Sequence, residues 1–111
     1  MGIFTKKINK FTLYVGLNDK DTRQQEIATG IAQDKISKIL AEYGIEGATF
    51  LGAKGIYTYI TDNKTEQENT FKIEILFASV KQVKKAIEKI KKELNQETIA
   101  MVQEKVASGL F

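Results

Sequence analysis

The sequence contains neither cysteine nor histidine. Without cysteine there are no disulfides, no thiolate metal sites and no thiol nucleophile. Without histidine the commonest general base and zinc ligand are missing. Gly44, Gly47, Gly52 and Gly55 never approach the phosphate-loop pattern Gly-x-x-x-x-Gly-Lys-Ser/Thr. These absences lead to the expectation that the protein is not an enzyme and works without cofactor or metal. Long apolar runs are lacking too, since nowhere do the ~18 successive apolar residues of a membrane span occur. Met1-Gly2-Ile3-Phe4-Thr5-Lys6-Lys7 has no signal-peptide core, so a cytoplasmic location without a membrane partner is expected. Gly2 suits myristoylation, but Lys6 or Lys7 stands where that signal has Ser or Thr.

Arginine is nearly absent: Arg23 stands alone among 17 basic residues. Bidentate readout of bases and phosphates relies on arginine, which argues against a specific nucleic-acid partner. The net charge of +3 is also unevenly placed. Residues 80–94 carry six lysines against two glutamates, leaving the rest of the chain near −1. The excess therefore reads as a solvated lysine face on one helix.

What the sequence does have is ordinary globular composition, with 42% hydrophobic and 28% charged residues. Its 111 residues suit a single domain, residues 1–111, around one core. From Lys10 to Leu17, Phe11, Leu13 and Val15 alternate with Thr12, Tyr14 and Gly16, the period of a strand. A polar loop follows over 18–26. A helix begins near Thr29 as N-cap, with Ala32, Ile36, Ile39, Leu40 and Tyr43 on one face, and ends at Gly44.

A second extended run spans Phe50–Ile60, where Gly52 and Gly55 suggest a bulge or a close backbone approach. Residues 61–69 lack apolar side chains and read as a hairpin tip. In the strand beyond it Phe71, Ile73, Ile75 and Phe77 share the core side. Ser79 and Gln82 form a capping box for a helix whose stripe is Val80, Val83, Ile87, Ile90 and Leu94, with Asn95 as its stop. A last strand is expected over Glu97–Val102, with the 106–111 tail set apart. The expected fold class is α+β: a ferredoxin-like βαββαβ unit with a four-stranded antiparallel sheet and two helices on one face.

Two groups of residues draw attention. Asn18, Asp19, Asp21 and Glu26 form the best carboxylate cluster, but they fail the calcium-loop spacing and read as a solvated loop. Tyr57 and Tyr59 share one face of the second strand; such a pair stacks a ligand ring, lines a subunit contact, or packs in the core with its hydroxyls wet.

Leu40-Ala41-Glu42-Tyr43-Gly44-Ile45-Glu46-Gly47-Ala48-Thr49, then Gly52-Ala53-Lys54-Gly55, Lys72-Ile73-Glu74-Ile75 and the 80–94 helix together are similar to the PII-like signal-protein superfamily. The resemblance covers residues 40–94. Phe11-Thr12-Leu13-Tyr14-Val15-Gly16-Leu17-Asn18-Asp19 resembles the opening of small uncharacterised proteins of low-GC bacteria and their mobile elements. PII-like resemblance implies a trimer that binds nucleotides or other small ligands between subunits, and the tyrosines resemble the Tyr-rich second strand of the copper-tolerance relatives. The chain departs from PII proteins at Leu94-Asn95-Gln96-Glu97, where their glycine-rich phosphate loop is missing, and in its shorter hairpin.

The leading expectation is a non-catalytic, trimeric small-ligand binding or sequestering protein. Its candidate ligand-binding residues are Lys54, Tyr57 and Tyr59, with Arg23 or Lys72 countering an anionic ligand. The alternative is a phage or mobile-element module that inhibits a host defence protein through protein contacts. A third reading is a divalent-metal hydrolase using Asp19 and Asp21.

Overall fold

Alternating apolar residues become strands, and the two 3.6-period stripes become the helices that cover them. The computed structural model describes residues 6–110. It contains β1 (Lys6–Gly16), α1 (Thr29–Glu42), β2 (Ala48–Thr58), β3 (Thr65–Leu76), α2 (Val80–Glu93) and β4 (Ala100–Ser108). The strands form one antiparallel sheet in the order β2-β3-β1-β4. This is the βαββαβ ferredoxin-like α+β fold.

The core lies between the helices and one sheet face. Phe11, Leu13 and Val15 of β1 and Phe71, Ile73 and Ile75 of β3 meet Ala32, Ile36, Ile39 and Leu40 of α1 and Val83, Ala86, Ile87 and Ile90 of α2. Phe50 reaches Phe71 edge to face, with ring centroids 5.5 Å apart. The opposite face carries Tyr14, Leu51 and Val102, all exposed.

Several local expectations need correction. Thr29 is the first residue of α1, not its cap; Ala28 occupies the cap position and makes no side-chain hydrogen bond. The 61–69 tip is shorter than its composition suggests, because Thr65–Asn69 pair with Lys54–Thr58 and only the connection between Thr58 and Thr65 turns. Gly52 and Gly55 make no bulge, since the β2–β3 register is continuous from Ala48↔Ile75 to Thr58↔Thr65. Phe77 does not extend the core side of β3. Its φ of 60° breaks the alternation as the strand ends, leaving the ring 49% exposed.

Leu17, just beyond β1, is buried in the chain's own core. β4 begins later than Glu97 and takes up residues 106–108 of the supposed tail; Leu110 is exposed, and Phe111, like Gly2, lies outside the described residues.

The capping box at α2 forms as read: Ser79 Oγ accepts from Gln82 N at 3.1 Å, and Gln82 Oε1 accepts from Ser79 N at 2.8 Å. Gln82 Nε2 also donates to the Tyr43 carbonyl at 3.0 Å, where Gly44 (φ 76°) ends α1. One side chain thus joins the start of α2 to the end of α1. Ser79→Ala is expected to cost about 1 kcal/mol. Gln82→Ala should cost more, because it also removes the Tyr43 bond. Equal midpoints for the two variants in denaturant unfolding would refute the double role.

Candidate functional site

Strand pairing opens a notch in the sheet. β1 stops at Gly16, level with Thr70 on β3, but β2 and β3 continue as a two-stranded arm to Thr58↔Thr65. The connection from α2 to β4 closes the other side. A cleft of about 280 Å³ results, lined by Tyr14 and Gly16 of β1, Tyr57 and Tyr59 from the arm, Glu68 and Thr70 of β3, and Gln96 to Thr98.

Glu68 lies on the floor of this cleft. Its Oε1 accepts the Asn18 backbone N–H at 3.1 Å. Loss of water raises its pKa above the usual carboxylate range, and the Asn18 bond opposes that rise in part. Asn18 is itself buried and held on two further sides: its Nδ2 donates to the Gln67 carbonyl at 3.1 Å, and its carbonyl accepts from Gln96 Nε2 at 2.6 Å. The side walls are aromatic. Tyr57 and Tyr59 meet at right angles with centroids 5.0 Å apart, and burial raises the Tyr59 pKa.

The residues singled out from sequence fall in different places. Tyr57 and Tyr59 line the cleft. Arg23 lies outside it: the guanidinium sits 4.1 Å from the Tyr59 ring centroid and pairs with Asp62 at 2.8 Å. That pairing raises the Arg23 pKa and lowers that of Asp62. Lys54 belongs to the helix-side alternation of β2, with Phe50 and Gly52, and donates to Asn69 Oδ1. Lys72 follows Glu68 and Thr70 along the open side of β3 but lies beyond the cleft, between Leu51 and Tyr14 in register.

The Asp19 and Asp21 carboxylates, read as possible metal ligands, instead take Asn95 Nδ2 at 3.0 and 2.8 Å, and the Asp19 pKa falls mainly through this bond. They tie the β1–α1 loop to the end of α2. Glu68 was missed because residues 61–69 read as a tip. The available signal was the alternation Glu66, Glu68, Thr70 leading in phase into the open side of β3.

No protein-family model and no curated protein matches the chain. Among solved structures, it is similar to a phage SAM lyase in complex with S-methyl-5'-thioadenosine, at TM-score 0.69 and 19% identity over 91% of this chain and 90% of that one. It is also similar to GlnK of B. subtilis in complex with ATP, at TM-score 0.58 and 14% identity over 90% and 82%. CutA of Synechococcus elongatus matches at TM-score 0.62 and 8% identity over 97% and 86%.

The expectation of a protein that is not an enzyme is corrected by the first of these, because the same βαββαβ arrangement carries a lyase. The physical reason is that the exclusion rested on missing histidine and cysteine. It took no account of a carboxylate removed from water by the tertiary structure. The chain has the ferredoxin-like fold found in PII-like proteins, CutA and phage SAM lyase.

Proposed function

We propose that this chain binds a cationic S-adenosyl sulfonium compound in the Glu68 cleft and cleaves it as a lyase. The observation that carries this reading is the pairing of a half-buried carboxylate with the aromatic walls of Tyr14, Tyr57 and Tyr59. A carboxylate with desolvated lone pairs suits a ligand carrying positive charge, and tyrosine faces suit both a cation and a purine ring. An anionic ligand fits less well, since Arg23 is engaged with Asp62 and Lys72 lies beyond the cleft. The phage lyase, with S-methyl-5'-thioadenosine bound, supplies the reaction class.

Release of that thioether from S-adenosylmethionine breaks one sulfur–carbon bond. The electron pair stays on sulfur, which loses its charge. The substrate's own carboxylate can capture the carbon and close a lactone, so the step balances without an oxidant or an external proton acceptor. It therefore needs neither histidine nor cysteine. Glu68 holds and orients the cationic substrate, and the tyrosine walls keep water away.

The same reading takes the active form as a trimer, the assembly implied by the PII-like resemblance. In the isolated chain the arm leaves Ile56 72% and Ile60 69% exposed, and the open sheet face leaves Tyr14, Leu51 and Val102 without cover. Light scattering at micromolar concentration is expected to return three times 12.5 kDa. A stable mass of one chain would remove the trimer.

Incubation with S-adenosylmethionine should yield S-methyl-5'-thioadenosine. Glu68→Gln should reduce kcat/KM by about tenfold or more, in line with the ~1.5–3 kcal/mol of a hydrogen bond to a charged group. Intact S-adenosylmethionine, together with a thermal shift from AMP or ATP, would favour nucleotide sensing instead.

The pH dependence follows from the sign of the Glu68 shift. A raised carboxylate pKa means that the folded state holds the proton more tightly than the unfolded chain. Glu68 therefore favours the apo fold most at low pH, and this contribution fades as pH rises from the ordinary carboxylate value through the raised one. At neutral pH, Glu68→Gln should raise the Tm of the ligand-free protein while impairing turnover. A lower Tm for that variant would show that ionised Glu68 supports the fold and would remove the desolvation argument.

A further inference from the structure

Two glycines in the cleft sit opposite side chains that a Cβ would displace. A Cβ on Gly16 would overlap all three terminal atoms of Glu68, Cδ, Oε1 and Oε2. A Cβ on Gly55 would come within 2.7 Å of Thr70 Oγ1. In register Gly16 faces Thr70 and Gly55 faces Glu68, so each side chain leans past its direct partner onto the diagonal glycine. Glu68 leans toward β1 and Thr70 toward β2, and the floor of the cleft opens between them.

Backbone freedom does not account for either glycine. Among the described glycines only Gly44 has a positive φ, so Gly16 and Gly55 adopt conformations open to any residue. Glycine within a strand weakens it, and alanine would ordinarily be preferred there. What these positions supply is the space left by an absent side chain. At Gly16 that space holds the mobile end of Glu68, so an added methyl moves the carboxylate and leaves the strand in place. At Gly52, by contrast, a Cβ meets nothing within 4 Å.

We propose that Gly16 is a positioning residue for Glu68, holding the carboxylate on the cleft floor against the Asn18 N–H, with Gly55 doing the same for Thr70. This rests on the sulfonium-lyase reading only for its activity readout. The titratable groups that share the cleft with Glu68 are Tyr14 of β1, Lys20 of the following loop, Tyr57 and Tyr59 from the arm, and Glu97 of the α2–β4 connection. None of them is substituted in a Gly16→Ala variant, and none is among the atoms nearest the added Cβ, so a change in Glu68 titration is expected to report the carboxylate's own displacement.

The test is NMR titration of the Glu68 side-chain carboxyl carbon in the ligand-free full chain, with parent, Gly16→Ala and Gly52→Ala compared. In the parent and in Gly52→Ala, Glu68 should titrate above the ordinary carboxylate range, and in Gly16→Ala it should return to that range with the fold intact by circular dichroism. Turnover of S-adenosylmethionine should fall at least tenfold in Gly16→Ala and stay unchanged in Gly52→Ala. Shortening the acid, by adding Glu68→Asp to Gly16→Ala, should recover part of the loss.

An unchanged Glu68 titration in folded Gly16→Ala would overturn the proposal. A shifted titration in a protein whose parent lacks lyase activity would uphold the positioning role and remove only the assigned reaction. Should Gly16→Ala fail to fold, Gly55→Ala carries the test: Thr70 is expected to leave its parent side-chain rotamer, read from three-bond couplings, and an unchanged rotamer would overturn the proposal.

Discussion

The cleft depends on an offset in strand pairing. β1 ends at Gly16, opposite Thr70, whereas the β2–β3 pair runs on to Thr58↔Thr65. Had β1 continued, its next residues would have paired with Asn69 and Glu68 and filled the notch. Instead only Leu17 N reaches the Asn69 carbonyl, at 2.9 Å, before the chain turns away. Asn18 then directs a backbone N–H at the Glu68 carboxylate instead of a strand carbonyl. A carboxylate half removed from water needs such a donor, because an unpaired charge there would be costly. The offset therefore creates the space and also supplies the group that makes the charge tolerable within it.

Three connections are bound together around this point. Asn18 of the β1–α1 loop meets Gln96 of the α2–β4 connection and Gln67 of the arm. Nearby, Asn95 donates to Asp19 and Asp21, and its φ of 48° turns the chain out of α2. Arg23 reaches across to the arm through Tyr59 and Asp62. Exposed ion pairs contribute little to stability on their own. Here the guanidinium also covers the ring of a residue that is 4% exposed, so it acts by holding Tyr59 against the cleft wall. Loops joined this way supply a rigid frame for a site that lies outside the main core.

The chain's overall charge does not describe its cleft. Net charge is +3, yet the excess lies on α2, where Lys84, Lys85, Lys89 and Lys92 flank Tyr43 on the helix side of the molecule. Lys89 is paired with Glu42 at 2.9 Å. The titratable groups that line the cleft are Glu68 and Glu97, three tyrosines and Lys20. Exposed charges are screened within about 10 Å at ordinary ionic strength, so it is this local set that a bound ligand meets.

The elements whose side-chain period matches their burial were determined by the sequence itself. The stripes of α1 and α2, the alternation of β1, the Ser79–Gln82 capping box and the stops at Gly44 and Asn95 are local patterns, and each appears in the fold. Tertiary structure decided whatever depends on partners distant in sequence. Thr65–Asn69 is a strand because β2 pairs with it, although its composition is that of a turn. Phe77 left the core because a single residue with positive φ ended the alternation. Glu68 became the floor of a cleft through its contacts with Gly16 and Asn18, the latter 50 residues away along the chain. Periodicity reports which face of an element is buried. Desolvation of one carboxylate depends on strand register and on where a neighbouring strand ends, and these are set only when the sheet has assembled.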